Sequence, residues 1–130
     1  MKNLKANSLL AIATFFILMW SACAYDQVVP GANIGDVGEM SFTSDIIPIF
    51  NESCNMSGCH DVGDQVPDLS PANAYTVLIN DGYINTTNPK ESSLYKWMND
   101  EESLSMPLTG PDALYNAKVL AWIEQGALNN

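Results

Sequence analysis

The stretch Cys54-Asn55-Met56-Ser57-Gly58-Cys59-His60 holds two of the three cysteines and the single histidine of a 130-residue chain. Two thiols followed at once by an imidazole suggest covalent haem attachment, with both sulfurs added to haem vinyl groups and the adjacent ring bound to iron. The common spacing puts two residues between the cysteines, whereas four stand here. Haem fixes only the separation of the two sulfurs, so an outward bulge that includes Gly58 leaves the local geometry of Cys59-His60 intact. Other chemistries fit the same residues. In an exported protein a Cys54–Cys59 disulfide closes an acceptable small loop and leaves His60 incidental. Structural zinc needs four ligands and finds three soft ones, so a carboxylate such as Asp61 would have to join them. A nucleophilic cysteine served by His60 fits worst, because adjacent side chains seldom face each other and an exported thiol tends to oxidise. The motif by itself leaves haem and disulfide both open.

Two features outside the motif favour haem. Met106-Pro107 lies 46 residues beyond His60, just before the last expected helix, where an electron-transfer haem needs its second axial ligand. Thioether sulfur is a soft, neutral donor suited to iron. A methionine beside a proline also arises by chance in a chain with six methionines. Met56 is confined to the attachment loop, Met98 reads as core filling on an apolar helix, and Met40 falls in or near a linker. Pro67-Asp68-Leu69, seven residues past His60, is placed to offer the imidazole Nδ1–H a backbone carbonyl and the ring an apolar contact. Taken alone, that tripeptide is an ordinary turn.

Working outward, the punctuation is that of short helices. In SDIIPIFNESC, Ile46, Ile49 and Phe50 share a face, Ser44 is available as cap, and Pro48 either distorts the first turn or marks a later start. Ser70-Pro71 signals a second helix ending at Asn80-Asp81-Gly82, and Asn88-Pro89 a third through Leu94, Tyr95, Trp97 and Met98. Gly110-Pro111-Asp112 opens the fourth and Gly126 ends it, with Tyr115, Val119, Trp122 and Ile123 as an apolar stripe. No segment alternates long enough to predict a sheet, so the expected class is all-α. A core built from four helices this short is thin, and small domains of this kind usually need a disulfide, metal or cofactor as staple.

The ends of the chain have a different character. Lys2 and Lys5, the apolar run Leu9 to Trp20 broken only by Thr14, and the small pair Ser21-Ala22 form the three parts of a secretory signal. That run is shorter than the ~20 residues a spanning helix needs. Cys23 directly after the small pair resembles the lipobox of bacterial lipoproteins, in which the mature chain begins at a diacylglycerol-bearing cysteine; Trp20 departs from that pattern, where an aliphatic residue is usual. An ordinary signal cut nearby is the alternative. Residues 24–42, with three glycines and a proline, read as a tether. Beyond residue 22 three lysines face fifteen acidic side chains, and the whole chain has no arginine. Binding to nucleic-acid phosphates is therefore excluded.

With these residues assembled, the chain resembles the small c-type cytochrome domain of exported proteins in Bacteroidetes and Planctomycetes, a variant branch of the cytochrome c fold. The resemblance runs through DIIPIFNESCNMSGCH, PDLSPANAYTVLINDGYINTTNP, SSLYKWM, MPLTG and VLAWIEQGALNN, from about Phe42 to Asn130. The four-residue spacing between the cysteines is a recognised variant in this branch. It implies a cytochrome c-like bundle of about four short helices around one haem c, with residues 1–22 as lipoprotein signal, 23–42 as lipidated N-terminus and tether, and 43–130 as haem domain. Cys54 and Cys59 would carry the haem, His60 would be the proximal iron ligand and Met106 the distal one, with Pro67 and Leu69 in the haem surroundings. The first and last helices would cross, setting Ile46, Ile49 and Phe50 against Tyr115, Val119 and Trp122. Such a protein carries single electrons outside the cytoplasm, is tethered to a membrane through Cys23, and transforms no substrate. Its acidity predicts a redox partner with a basic docking face. Trp97 and Lys96 are candidates for the haem propionates, although packing and solvation account for them more simply. A sensory or structural haem module and a haem-free disulfide lipoprotein are the competing classes, and an enzyme is the least supported.

Overall fold

Ser41 opens the first helical segment of the computed structural model, which describes residues 37–130. Its hydroxyl accepts from Ser44 N at 3.2 Å while its own N–H donates to Asp45 Oδ2 at 3.0 Å, a reciprocal pairing that satisfies two otherwise orphaned backbone groups. A π-helical turn, Phe42–Ile46, follows and runs straight into α1, Ile47–Ser53. Pro48 lies in the first turn of α1, where its missing N–H costs nothing. The cap expected at Ser44 is thus three residues early, at Ser41.

Three more helices complete the described part: α2 (Ala74–Asn80), α3 (Ser93–Met98) and α4 (Ala113–Glu124), with no strand among the described residues. The all-α class holds. Ser70 does not cap α2 with its side chain. Asp68 instead binds Ser70 N at 2.9 Å and Asn73 Nδ2 at 2.7 Å, and the helix starts only at Ala74. The segment begun by Asn88 divides into a 3-10 turn, Pro89–Glu91, and α3, because the Ser92 hydroxyl is drawn away to Asn85 N. Helix α4 follows its sequence signals closely: Asp112 accepts from both Leu114 N and Tyr115 N at 2.9 Å, and Gly126 leaves the helix with φ +99.

The core is a single cluster in which Ile46, Phe50, Val119, Trp122 and Ile123 are fully buried and Tyr115 packs at the margin. The Phe42 ring lies 5.1 Å from Trp122 and 5.2 Å from Tyr75, nearly edge-on to the latter. Met40 and Phe42 are only 6% and 2% exposed, so the folded part begins ahead of the boundary expected at residue 43. A seam fastens this segment to the far end of the chain: Met40 N to Gln125 Oε1, Gln125 Nε2 to Gly38 O, and Phe42 N and Thr43 N to Asn130. The apolar side chains and this seam make residues 37–42 part of the domain. The signal segment, Cys23 and the tether up to residue 36 lie outside the described residues. Among the described residues, no helix is long and apolar enough to cross a membrane.

Truncating Phe42 to Ala should lower the unfolding free energy by about 3–5 kcal/mol, the usual cost of emptying an aromatic core site. A urea titration checks this, and a change below about 0.5 kcal/mol would return the residue to the tether.

Candidate functional site

After α1 the chain turns back on itself around one histidine. His60 N donates to Cys54 O at 3.1 Å, closing the cysteine loop, and Leu69 N donates to His60 O at 2.8 Å. Between these anchors, Gln65 N reaches Cys59 O at 2.8 Å and Asp64 Oδ2 takes Gly58 N at 2.7 Å. The extra residues of the cysteine spacing form an exposed turn over Met56, Ser57 and Gly58, with Gly58 at φ +83, a conformation open to glycine at little cost. Cys59 and His60 stay half-buried on the inner side.

The imidazole is oriented by backbone. His60 Nδ1 lies 2.9 Å from Pro67 O and 3.3 Å from Gln65 O. Carbonyls only accept, so Nδ1 carries the proton and donates, leaving Nε2 as the basic nitrogen of the neutral ring. Gln65 was not singled out by the sequence. Only its position in the loop, five residues past the histidine, offers a hint.

Cys54, Cys59, His60, Pro67, Leu69 and Met106 all line one cavity of about 630 Å³. Its walls are completed by Leu94, Trp97 and Met98 from α3 and by Tyr83, so Met98 serves the core and the cavity together. Met106 arrives from the loop after α3, where its N–H donates to Trp97 O at 3.1 Å. The next carbonyl, Met98 O, accepts from Asn116 Nδ2 at 3.0 Å, and the same amide reaches Asn99 Oδ1 at 3.1 Å. Asn116, 6% exposed, therefore ties α4 to the end of α3, from which the Met106 loop departs. The sequence reading passed it over as polar. Its place three and seven residues before Val119 and Ile123 sets it on the buried face.

Both cysteines are free thiols. Burial, and secondarily the neighbouring Cys59, pushes the Cys54 thiol up to about 11, so it is neutral at physiological pH. Among the described residues no group of three or more His, Cys, Asp and Glu is placed to hold a metal ion, and the zinc set with Asp61 is not assembled. Trp97 lines the cavity; Lys96 does not, and is paired with Glu91. A smaller hollow of about 420 Å³ beside the seam, between Met40, Trp122 and Leu128, contains none of the thiol or imidazole groups. Two thiols, an imidazole with a free Nε2, a thioether and apolar walls are a donor set suited to an iron porphyrin, in a volume typical of cofactor sites.

Two measurements check this geometry. In haem-free, reduced Cys59→Ser protein, alkylation of Cys54 should accelerate about tenfold per pH unit from pH 7 to 10, because the thiolate fraction grows that way well below its pKa. An early plateau would contradict the buried site. Asn116→Ala should cost about 1–3 kcal/mol in urea unfolding, since the Met98 carbonyl loses its buried donor. Compared with known proteins, the chain matches no family model, no curated protein and no solved structure.

Proposed function

We propose that this protein is a monohaem c-type cytochrome, exported and held at a membrane by a lipid on Cys23, that carries single electrons. One observation carries the reading: thiols, imidazole and thioether from two separate loops line one apolar cavity, with the imidazole Nδ1 fixed by Pro67 O. When bound, the haem supplies a reversible one-electron change at its iron.

The chain's own residues have distinct tasks in this reading. Cys54 and Cys59 would hold the group covalently. His60 would offer it Nε2, while Pro67 O keeps the proton on Nδ1 and fixes the ring. Met106, its loop anchored at Trp97 O, would offer it a neutral sulfur. Leu69, Leu94 and Met98, all buried, exclude water from the wall. A neutral thioether and a dry surrounding disfavour added positive charge, which raises the potential. No substrate-transforming role is assigned. The N-terminal part of the reading rests on the basic start, apolar run and Cys23 of the sequence.

Pyridine haemochrome analysis of protein produced with a haem-attachment system tests the reading. The expected product has one haem per chain, linked through both cysteines, and Met106→Ala should lose the low-spin ferric spectrum while keeping the covalent haem. A colourless product with a Cys54–Cys59 linkage by mass spectrometry would instead favour the disulfide lipoprotein. Ready carbon monoxide binding by the unmodified ferrous protein would favour a sensor.

A further inference from the structure

The turn that follows the cysteine loop is clasped to His60 at two neighbouring points. Pro67 O accepts from His60 Nδ1 at 2.9 Å, and Leu69 N donates to His60 O at 2.8 Å. Asp68 lies between these residues and makes neither bond. Its carboxylate is turned to the start of α2, where Oδ1 accepts from Ser70 N at 2.9 Å and Oδ2 from Asn73 Nδ2 at 2.7 Å. No side chain caps that helix, so this carboxylate is its side-chain link to the turn.

A carboxylate bonded to the amide two residues on closes a local turn and restricts the backbone angles of its own residue. The Pro67 carbonyl shares a planar peptide unit with Asp68 N, so those angles set where its oxygen points. The interior of the turn leaves little room for drift. Leu69 and Ser70 are 3% and 4% exposed, and Leu69 O is held from the other side by Asn55 Nδ2 at 3.3 Å, an amide that also donates to Asn51 Oδ1 of α1 at 2.7 Å. Without Asp68 the Ser70 N–H would be a donor in a buried residue with no acceptor, and the turn would have to open for it to reach water.

We infer that Asp68 is a positioning residue for His60: by holding the turn 67–70 closed it keeps the Pro67 carbonyl on Nδ1, the ring proton with it, and Nε2 as the basic nitrogen at the cavity. This role rests on the haem reading above for its purpose, because the donor strength of Nε2 toward a metal depends on the bond made at Nδ1. The carboxylate acts through the Pro67 peptide, since its own bonds go to α2 rather than to the ring. An acid that served only to start α2 would leave the imidazole unchanged when removed.

His60 is the only histidine of the chain, so NMR of untagged protein isotopically labelled in histidine alone reports one ring. The quantity read is the solvent-exchange rate of Nδ1–H in the ferrous haem-loaded protein. Asp68→Ala should raise it about three- to tenfold, the range that loss of one ordinary hydrogen bond gives. Asp68→Asn keeps an amide oxygen for Ser70 N and should stay within about twofold of the parent. Ile79→Gly weakens α2 through helix propensity, away from the turn, and should also stay within about twofold. The midpoint potential gives a second reading: both Asp68 variants lose the charge, so a larger rise for the alanine variant than for the asparagine variant isolates the turn. Should Asp68→Ala not fold, Asn73→Ala removes one of the two bonds and carries the same expectation. No change of exchange in Asp68→Ala, an equal change in Ile79→Gly, or equal potentials for the two Asp68 variants would overturn the inference with the haem reading intact. If the product is colourless, the haem reading falls, and the same exchange measurement on that product decides the role of Asp68.

Discussion

Three atoms of His60 are bound to three different points of the same loop. Its N–H holds Cys54 O, its carbonyl receives Leu69 N, and its Nδ1 donates to Pro67 O. Residues 54–69 contain no helix, so these bonds, with the Asp64 grip on Gly58, replace the regular ladder that would otherwise satisfy the backbone. Removing the imidazole would take away a ligand-type nitrogen and also the peg around which the loop is wound. Structural and chemical demands therefore fall on one residue.

The remainder of the domain supplies walls. Helices of six to twelve residues are marginal alone and depend on tertiary packing. Trp122 shows how that packing is built: its ring meets Phe42, and its indole Nε1 donates to Leu128 O at 2.9 Å, so its apolar body and its polar edge are both satisfied. On the other side, α3 and α4 are fastened through Asn116, and the carbonyls at the end of α3 divide their work between Asn116 and the Met106 loop. The cavity lies between α3 with the Met106 loop on one side and the loop around His60 on the other.

Residues whose local signal and burial agree were readable from the sequence alone. Asp112, Gly126 and the stripe through Val119 and Trp122 all mark α4, and the helix lies where they place it. Where several polar residues precede a helix, the sequence could not say which would bond its backbone. Ser41, not Ser44, bonds the first turn, and Asp68 bonds Ser70 N while α2 begins only at Ala74 with no side-chain cap. The start of the folded part was hidden because Met40 and Phe42 sit among glycines and polar residues, and the partners that draw them in, Tyr75, Trp122, Gln125 and Asn130, lie far along the chain. For the candidate site, local spacing singled out the cysteines, His60 and the Pro67 turn. That Met106 lines the same cavity depends on long-range contacts between α3 and α4.

The seam between residues 38–43 and 125–130 has a mechanical consequence. Tension on the chain ahead of Val37 enters the domain beside the bonds to Gln125 and Asn130 and is resisted there first. The loop wound around His60 is reached only through α1 and the buried aromatic cluster. A pull at that end would unzip its own fastening before it strained the cavity, which makes the seam a mechanical fuse for the rest of the fold.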